Sequence, residues 1–183
     1  MNARPSIALT LLSLAACQAH NDEPSAPALI RVENPTLQLA VADLPAPFVV
    51  AENSGGTLRF DTTHETGGNL IVTVGDPEYG LNLQAEVARR GDTFRAMPGG
   101  EYNGSRELGT PWGPAYYSRG SYDADDGREE QTWIFGLHPV DGSRLLTLTY
   151  TYPAGEGQTR VNELLSVLGE FEGLAADAGP AQH

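Results

Sequence analysis

The chain has 183 residues, 40% of them hydrophobic, and carries 24 acidic against 11 basic side chains, a formal charge of −13. Such an acidic surface repels nucleic acid and anionic headgroups, which sets both aside as partners. One cysteine, Cys17, excludes an intrachain disulfide and a cysteine-based metal cluster.

Residues 7–16, IALTLLSLAA, form an apolar block behind Arg4 and the amino terminus, the pattern of an export signal. The block is about half the roughly 20 residues that a spanning helix needs, and no later stretch is apolar enough to span. Leu14-Ala15-Ala16-Cys17 resembles the lipobox of bacterial lipoproteins. That resemblance implies cleavage after residue 16, a diacylglycerol on the Cys17 sulfur and acylation of the new amine. Cys17 is then the lipid attachment site, and the membrane is a partner through this anchor. Several acyl chains hold a domain stably, at about 0.8 kcal/mol per buried methylene. Gln18 stands where an inner-membrane retention signal places Asp, so the expected address is the outer membrane, facing the periplasm. Loss of Arg4 with the signal leaves ten basic against 24 acidic groups, a charge of −14.

Residues 17–28 are rich in Pro, Ala and polar groups and read as a flexible tether, with His20 solvated in it. Residues 29–172 are expected to form one α+β domain, and 173–183, ending in His183, a disordered tail. Alternation in TLRFDT (Leu58, Phe60) and NLIVTV (Leu70, Val72, Val74) predicts two half-buried strands. Leu83 and Val87 predict a short helix over 81–90, stopped by Gly91. QTWIFGLH sets Trp133, Phe135 and Leu137 on one face, and LLTLTYTY sets Leu146, Leu148, Tyr150 and Tyr152 on one face. Asp141-Gly142 predicts a hairpin between them, and DADDGREE a second hairpin leading in from AYYSRGSY. Val161, Leu164, Leu165, Leu168 and Phe171 recur at helical spacing, an amphipathic helix whose stripe must cover a sheet.

The order of these elements carries a second resemblance. LPAPF and GGTLRF between Leu44 and Phe60, the central PWGPAYYSRGSY, and LLTLTYTYP leading into a helix are together similar to the PsbP/DcrB-like fold, whose members include small exported lipoproteins. The resemblance covers roughly 44–172. It implies an antiparallel sheet flanked by helices and a noncatalytic role in binding or assembling other proteins, and it maps no functional residue onto this chain.

Chemistry-bearing groups are sparse. Asp123-Ala124-Asp125-Asp126-Gly127 has the flavour of a calcium loop, but its glycine comes one place early and Ile134 stands where a bidentate Glu belongs, so it reads as a solvated turn. Asp61, His64 and Glu65 have no second histidine at ligand spacing and read as a polar turn. His138, before Pro139 at a strand end, is expected to satisfy a backbone group. No G-x-S-x-G elbow occurs, and Gly155-Glu156-Gly157 lacks the third glycine of a dinucleotide cradle. No metal or cofactor is therefore expected. The segment Met97 to Tyr117 reads as a long Gly/Pro-rich loop displaying Tyr102, Trp112, Tyr116 and Tyr117 as contacts for a partner or ligand. Two alternatives stand beside this: Trp112 staples the loop to the sheet, or the loop binds a small ligand or glycan or supports weak hydrolysis.

Overall fold

The computed structural model describes residues 29–174. The export signal, Cys17, the tether with His20, and His183 lie outside the described residues. In chain order the elements are β1 (Val32–Asn34), β2 (Leu39–Val41), β3 (Phe48–Ser54), β4 (Thr57–Thr62), β5 (Asn69–Gly75), β6 (Glu78–Leu81), α1 (Leu83–Ala96), β7 (Glu101–Thr110), β8 (Gly113–Ala124), β9 (Gly127–Leu137), β10 (Leu145–Pro153), α2 (Gly157–Leu168) and β11 (Phe171–Gly173).

Seven strands form one antiparallel sheet in the order β3-β4-β5-β10-β9-β8-β7. Alternation decides what each face carries. Leu58, Phe60, Leu70, Val72, Ile134, Leu146, Leu148, Tyr150 and Tyr152 point to one side and form the larger core with Leu164, Val167 and Leu168 of α2. A small sheet in the order β1-β2-β11 adds Val32, Leu39, Val41 and Phe171 to that same side. Trp133, Phe135 and Leu145 point the other way, where Leu83, Val87 and Phe94 of α1 cover them. The result is an α+β fold in which an antiparallel sheet lies between helices.

Three sequence expectations need correction. α1 runs through Gly91 to Ala96, because Gly91 is where the helix meets the Tyr102 ring: a Cβ there would stand 3.2 Å from it. α2 ends at Leu168, and Phe171 belongs to β11, paired with Val41. The segment from Met97 to Tyr117 is not a long loop. It holds β7 and the start of β8, a hairpin turning at Pro111-Trp112, where Gly113 takes φ 121° and Thr110 Oγ1 donates to the Gly113 carbonyl at 2.6 Å. Its glycines serve the turn and a bulge between Tyr102 and Gly104.

Candidate functional site: a groove between α1 and the edge hairpin

The N-terminal half of α1 stands slightly off the β7–β8 hairpin and leaves a groove. Asn82 caps the helix, its Oδ1 accepting the Ala85 N–H at 3.2 Å, and fixes where Leu83 and Gln84 enter it. Two adjoining hollows of about 510 and 360 Å³ share Gln84 and Tyr116. Leu81, Val87, Ala88 and Pro114 give them apolar walls, and Leu81 is 54% exposed at the mouth. Glu107, Ser105 and Gln84 supply the polar rim.

Two of the sequence-predicted aromatics meet here. Tyr116 lines both hollows, its hydroxyl accepting from Gln84 Nε2 at 3.1 Å. Tyr102 forms the inner wall, stacked on Phe94 at 6.3 Å, with the Arg95 guanidinium 5.1 Å from its ring centre. The other two go elsewhere: Tyr117 because neighbours in a strand face opposite sides, and Trp112 because it stands in the turn between β7 and β8. Tyr117 lies on the α2 side, under the Arg106 guanidinium at 5.0 Å and near Gln158 and Val161. Trp112 folds back over Gly136, where a Cβ would overlap its ring, and packs against the larger core. The four aromatics therefore form two surfaces, not one, and Trp112 occupies the stapling position.

The remaining candidates are tied into the scaffold. His64 Nε2 bonds Glu163 Oε1 at 2.8 Å, while Asp61 pairs with Arg59 at 3.4 Å. Among the described residues, no three His, Asp or Glu side chains gather closely enough to hold a metal ion. The acidic segment is a two-residue turn at Asp125-Asp126, and Asp123 is held by Arg128 at 2.8 Å. His138 is buried, its Nε2–H donating to the Leu37 carbonyl at 2.8 Å and its Nδ1 accepting the Asp141 N–H at 3.0 Å. Burial, aided by the Arg144 charge, holds its pKa below the usual histidine value against the pull of the Leu37 bond. A polar cleft of about 260 Å³ lies among Thr66, Asn69, Arg128, Glu129, Thr151 and Tyr152. Two of its charged side chains are already paired: Arg128 with Asp123 and Glu101, and Glu129 with the Tyr122 hydroxyl.

Sequence reasoning missed two groups of buried charge. Arg160 is 1% exposed, yet its guanidinium reaches Glu156 Oε2 at 2.6 Å, Thr66 Oγ1 at 2.8 Å and the Gly67 carbonyl at 3.0 Å, locking α2 to the β4–β5 turn. Tyr150, raised well above the usual phenol pKa by burial and by its bond to Glu163, joins this network. On α1, Glu86 is also 1% exposed. The signal was there in both cases: Arg160 precedes Leu164 by one turn, and Glu86 adjoins Val87 on a stripe that continues to Phe94, so each charge occupies an apolar position.

No protein-family model matches the chain. No curated protein matches it in sequence. Solved structures share its fold. LpqN of Mycobacterium tuberculosis, described as involved in cell envelope biogenesis, is similar over 83% of this chain and 88% of its own, with TM-score 0.58 and 12% identity. The PsbP of the cyanobacterium Synechocystis sp. PCC 6803 is similar over 82% and 95%, with TM-score 0.55 and 14% identity. A Bacteroides thetaiotaomicron protein is similar over 78% of this chain with TM-score 0.53 and 14% identity, and the chain spans 47% of its length. The fold is PsbP-like.

Proposed function

We propose that this chain is a lipid-anchored, noncatalytic module of the bacterial cell envelope that binds or assembles other envelope proteins through the groove between α1 and the β7–β8 hairpin. The observation that carries the reading is the groove itself: an open apolar channel with Leu81 at its mouth and Tyr102 and Tyr116 along its wall. Aromatic side chains with one polar tip supply large contact area at little entropic cost, which suits a protein partner. The LAAC motif ending at Cys17 supports export and anchoring to the outer membrane on its periplasmic side. The fold shared with LpqN is in keeping with an envelope setting. Among the described residues no helix is long and apolar enough to cross a membrane, so on this reading the lipid provides the attachment.

Two measurements test it. Cells fed radiolabelled palmitate should label the wild-type chain and not Cys17→Ala, and label persisting in the variant would sink the anchoring claim. A photo-crosslinking residue at position 116 should trap a discrete partner in intact cells, and Leu81→Asp should reduce that product at least tenfold. Equal trapping from position 92, an exposed site on α1 outside the groove, would refute the groove as the contact surface.

A further inference from the structure

A second, smaller cleft lies on the same face of the sheet, beyond the opposite edge of α1, and its chemistry differs from that of the groove. It measures about 210 Å³ and is bounded by Glu86, Arg89 and Arg90 of α1, Thr73 of β5, Thr147 of β10, and Asp76 and Glu78. Glu86 is 1% exposed. Its Oε2 accepts from Arg89 Nη2 at 3.3 Å, but its Oε1 is buried without a hydrogen-bond partner. A buried carboxylate oxygen with no donor is costly, and such a group asks for one. Arg89 does not meet the need, since it is shared with Glu78 at 3.3 Å.

One helical turn on, Arg90 is the complementary case. Its guanidinium lies 4.8 Å from the Trp133 ring centre and 5.5 Å from that of Phe135. It makes no ion pair among the described residues, and its Nε is buried without an acceptor. The cleft is therefore lined by a carboxylate with one unsatisfied oxygen and by a guanidinium that forms no ion pair among the described residues, their positions one helical turn apart, with Thr73 and Thr147 also in its wall.

We infer that this cleft binds a small zwitterion of the amino-acid class, its ammonium on Glu86 and its carboxylate on Arg90. A simple cation would satisfy Glu86 but leave Arg90 unpaired and opposed to it. A simple anion would satisfy Arg90 while facing Glu86, Glu78 and Asp76. A molecule with both charges on a compact frame satisfies both ends. The volume points the same way, since sites for drug-sized ligands begin near roughly 300 Å³. Free amino acids and the ends of short peptides share this chemistry.

Trp133 beneath Arg90 provides the readout. The chain has two tryptophans, so the full chain carrying Trp112→Phe reports from Trp133 alone. L-alanine and L-alanyl-L-alanine should give saturable changes in Trp133 emission and matching calorimetric heats, with methylammonium and acetate at least tenfold weaker. Tighter binding of the free amino acid or of the dipeptide then says which source fits. Glu86→Gln and Arg90→Gln should each weaken binding about tenfold to a hundredfold. If Glu86→Gln fails to fold by thermal melting, the less buried Arg90→Gln carries the comparison. The inference is overturned by no saturable signal up to about 10 mM, by acetate binding as well as alanine, or by unchanged affinity in a folded variant.

Discussion

His138 bonds the Leu37 carbonyl and the Asp141 N–H with one buried ring, and it can do so only when neutral, because Nδ1 must stay an acceptor. Its pKa is depressed in the fold by burial, whereas the unfolded chain has the ordinary value near 6.5. The unfolded state therefore takes up a proton first. The contribution of His138 to stability is complete above about pH 6.5 and falls away as pH drops through the interval down to the folded value, at up to about 1.4 kcal/mol per pH unit. Urea midpoints measured between pH 7.5 and 5 should fall for the wild type and fall less for His138→Gln. Parallel curves would mean the ring is not held neutral. Asp141 and Glu156, whose pKa values are also depressed, lose their contributions only as pH falls below the carboxylate range, so the windows separate. The expectation that His138 serves a backbone group was legible because Pro139 ends the strand beside it; that it serves a carbonyl about a hundred residues upstream was not, since nothing local encodes that distance.

At the level of elements, the groove exists because α1 is pressed hard against the sheet at one end only. Gly120 of β8 lies under Phe94, and a Cβ there would overlap the ring. Gly120→Ala should push the C-terminal half of α1 outward and cost about 1–3 kcal/mol in urea denaturation. A neutral result would show that the Phe94 contact is slack. The strands read from alternation, β4, β5, β9 and β10, are inner members of the sheet with one face in the larger core, so their apolar period is strong. β7 was read as loop for a physical reason. It is an edge strand, exposed along most of its length, with a bulge that breaks its alternation, so its glycines outweighed its weak pattern. Tyr102, Trp112, Tyr116 and Tyr117 were grouped on one loop, whereas the pleat parts Tyr116 from Tyr117 and the turn carries Trp112 over Gly136.

For the molecule as a whole, the least legible feature is the small sheet. β1, β2 and β11 have three residues each, too short for any period to register, and β11 pairs with a strand about 130 positions earlier. Phe171, which continued the helical spacing of α2, is instead buried between that sheet and the main core. Phe171→Ala should cost about 3 kcal/mol and lower the unfolding midpoint without splitting the transition, because the small sheet and the main sheet share one core. A biphasic transition would contradict this.

The small sheet, in which β2 joins the first strand to the last, also fixes where the described chain enters the fold. β1 lies on the α2 side of the main sheet, whereas both the groove and the Glu86 cleft open on the α1 side. Eleven residues, 18–28, separate Cys17 from the described chain and span at most about 36–40 Å when fully drawn out. On the proposed reading, in which Cys17 carries the lipid, the described chain begins on the face away from the groove and the Glu86 cleft, so attachment at that end leaves both openings unobstructed.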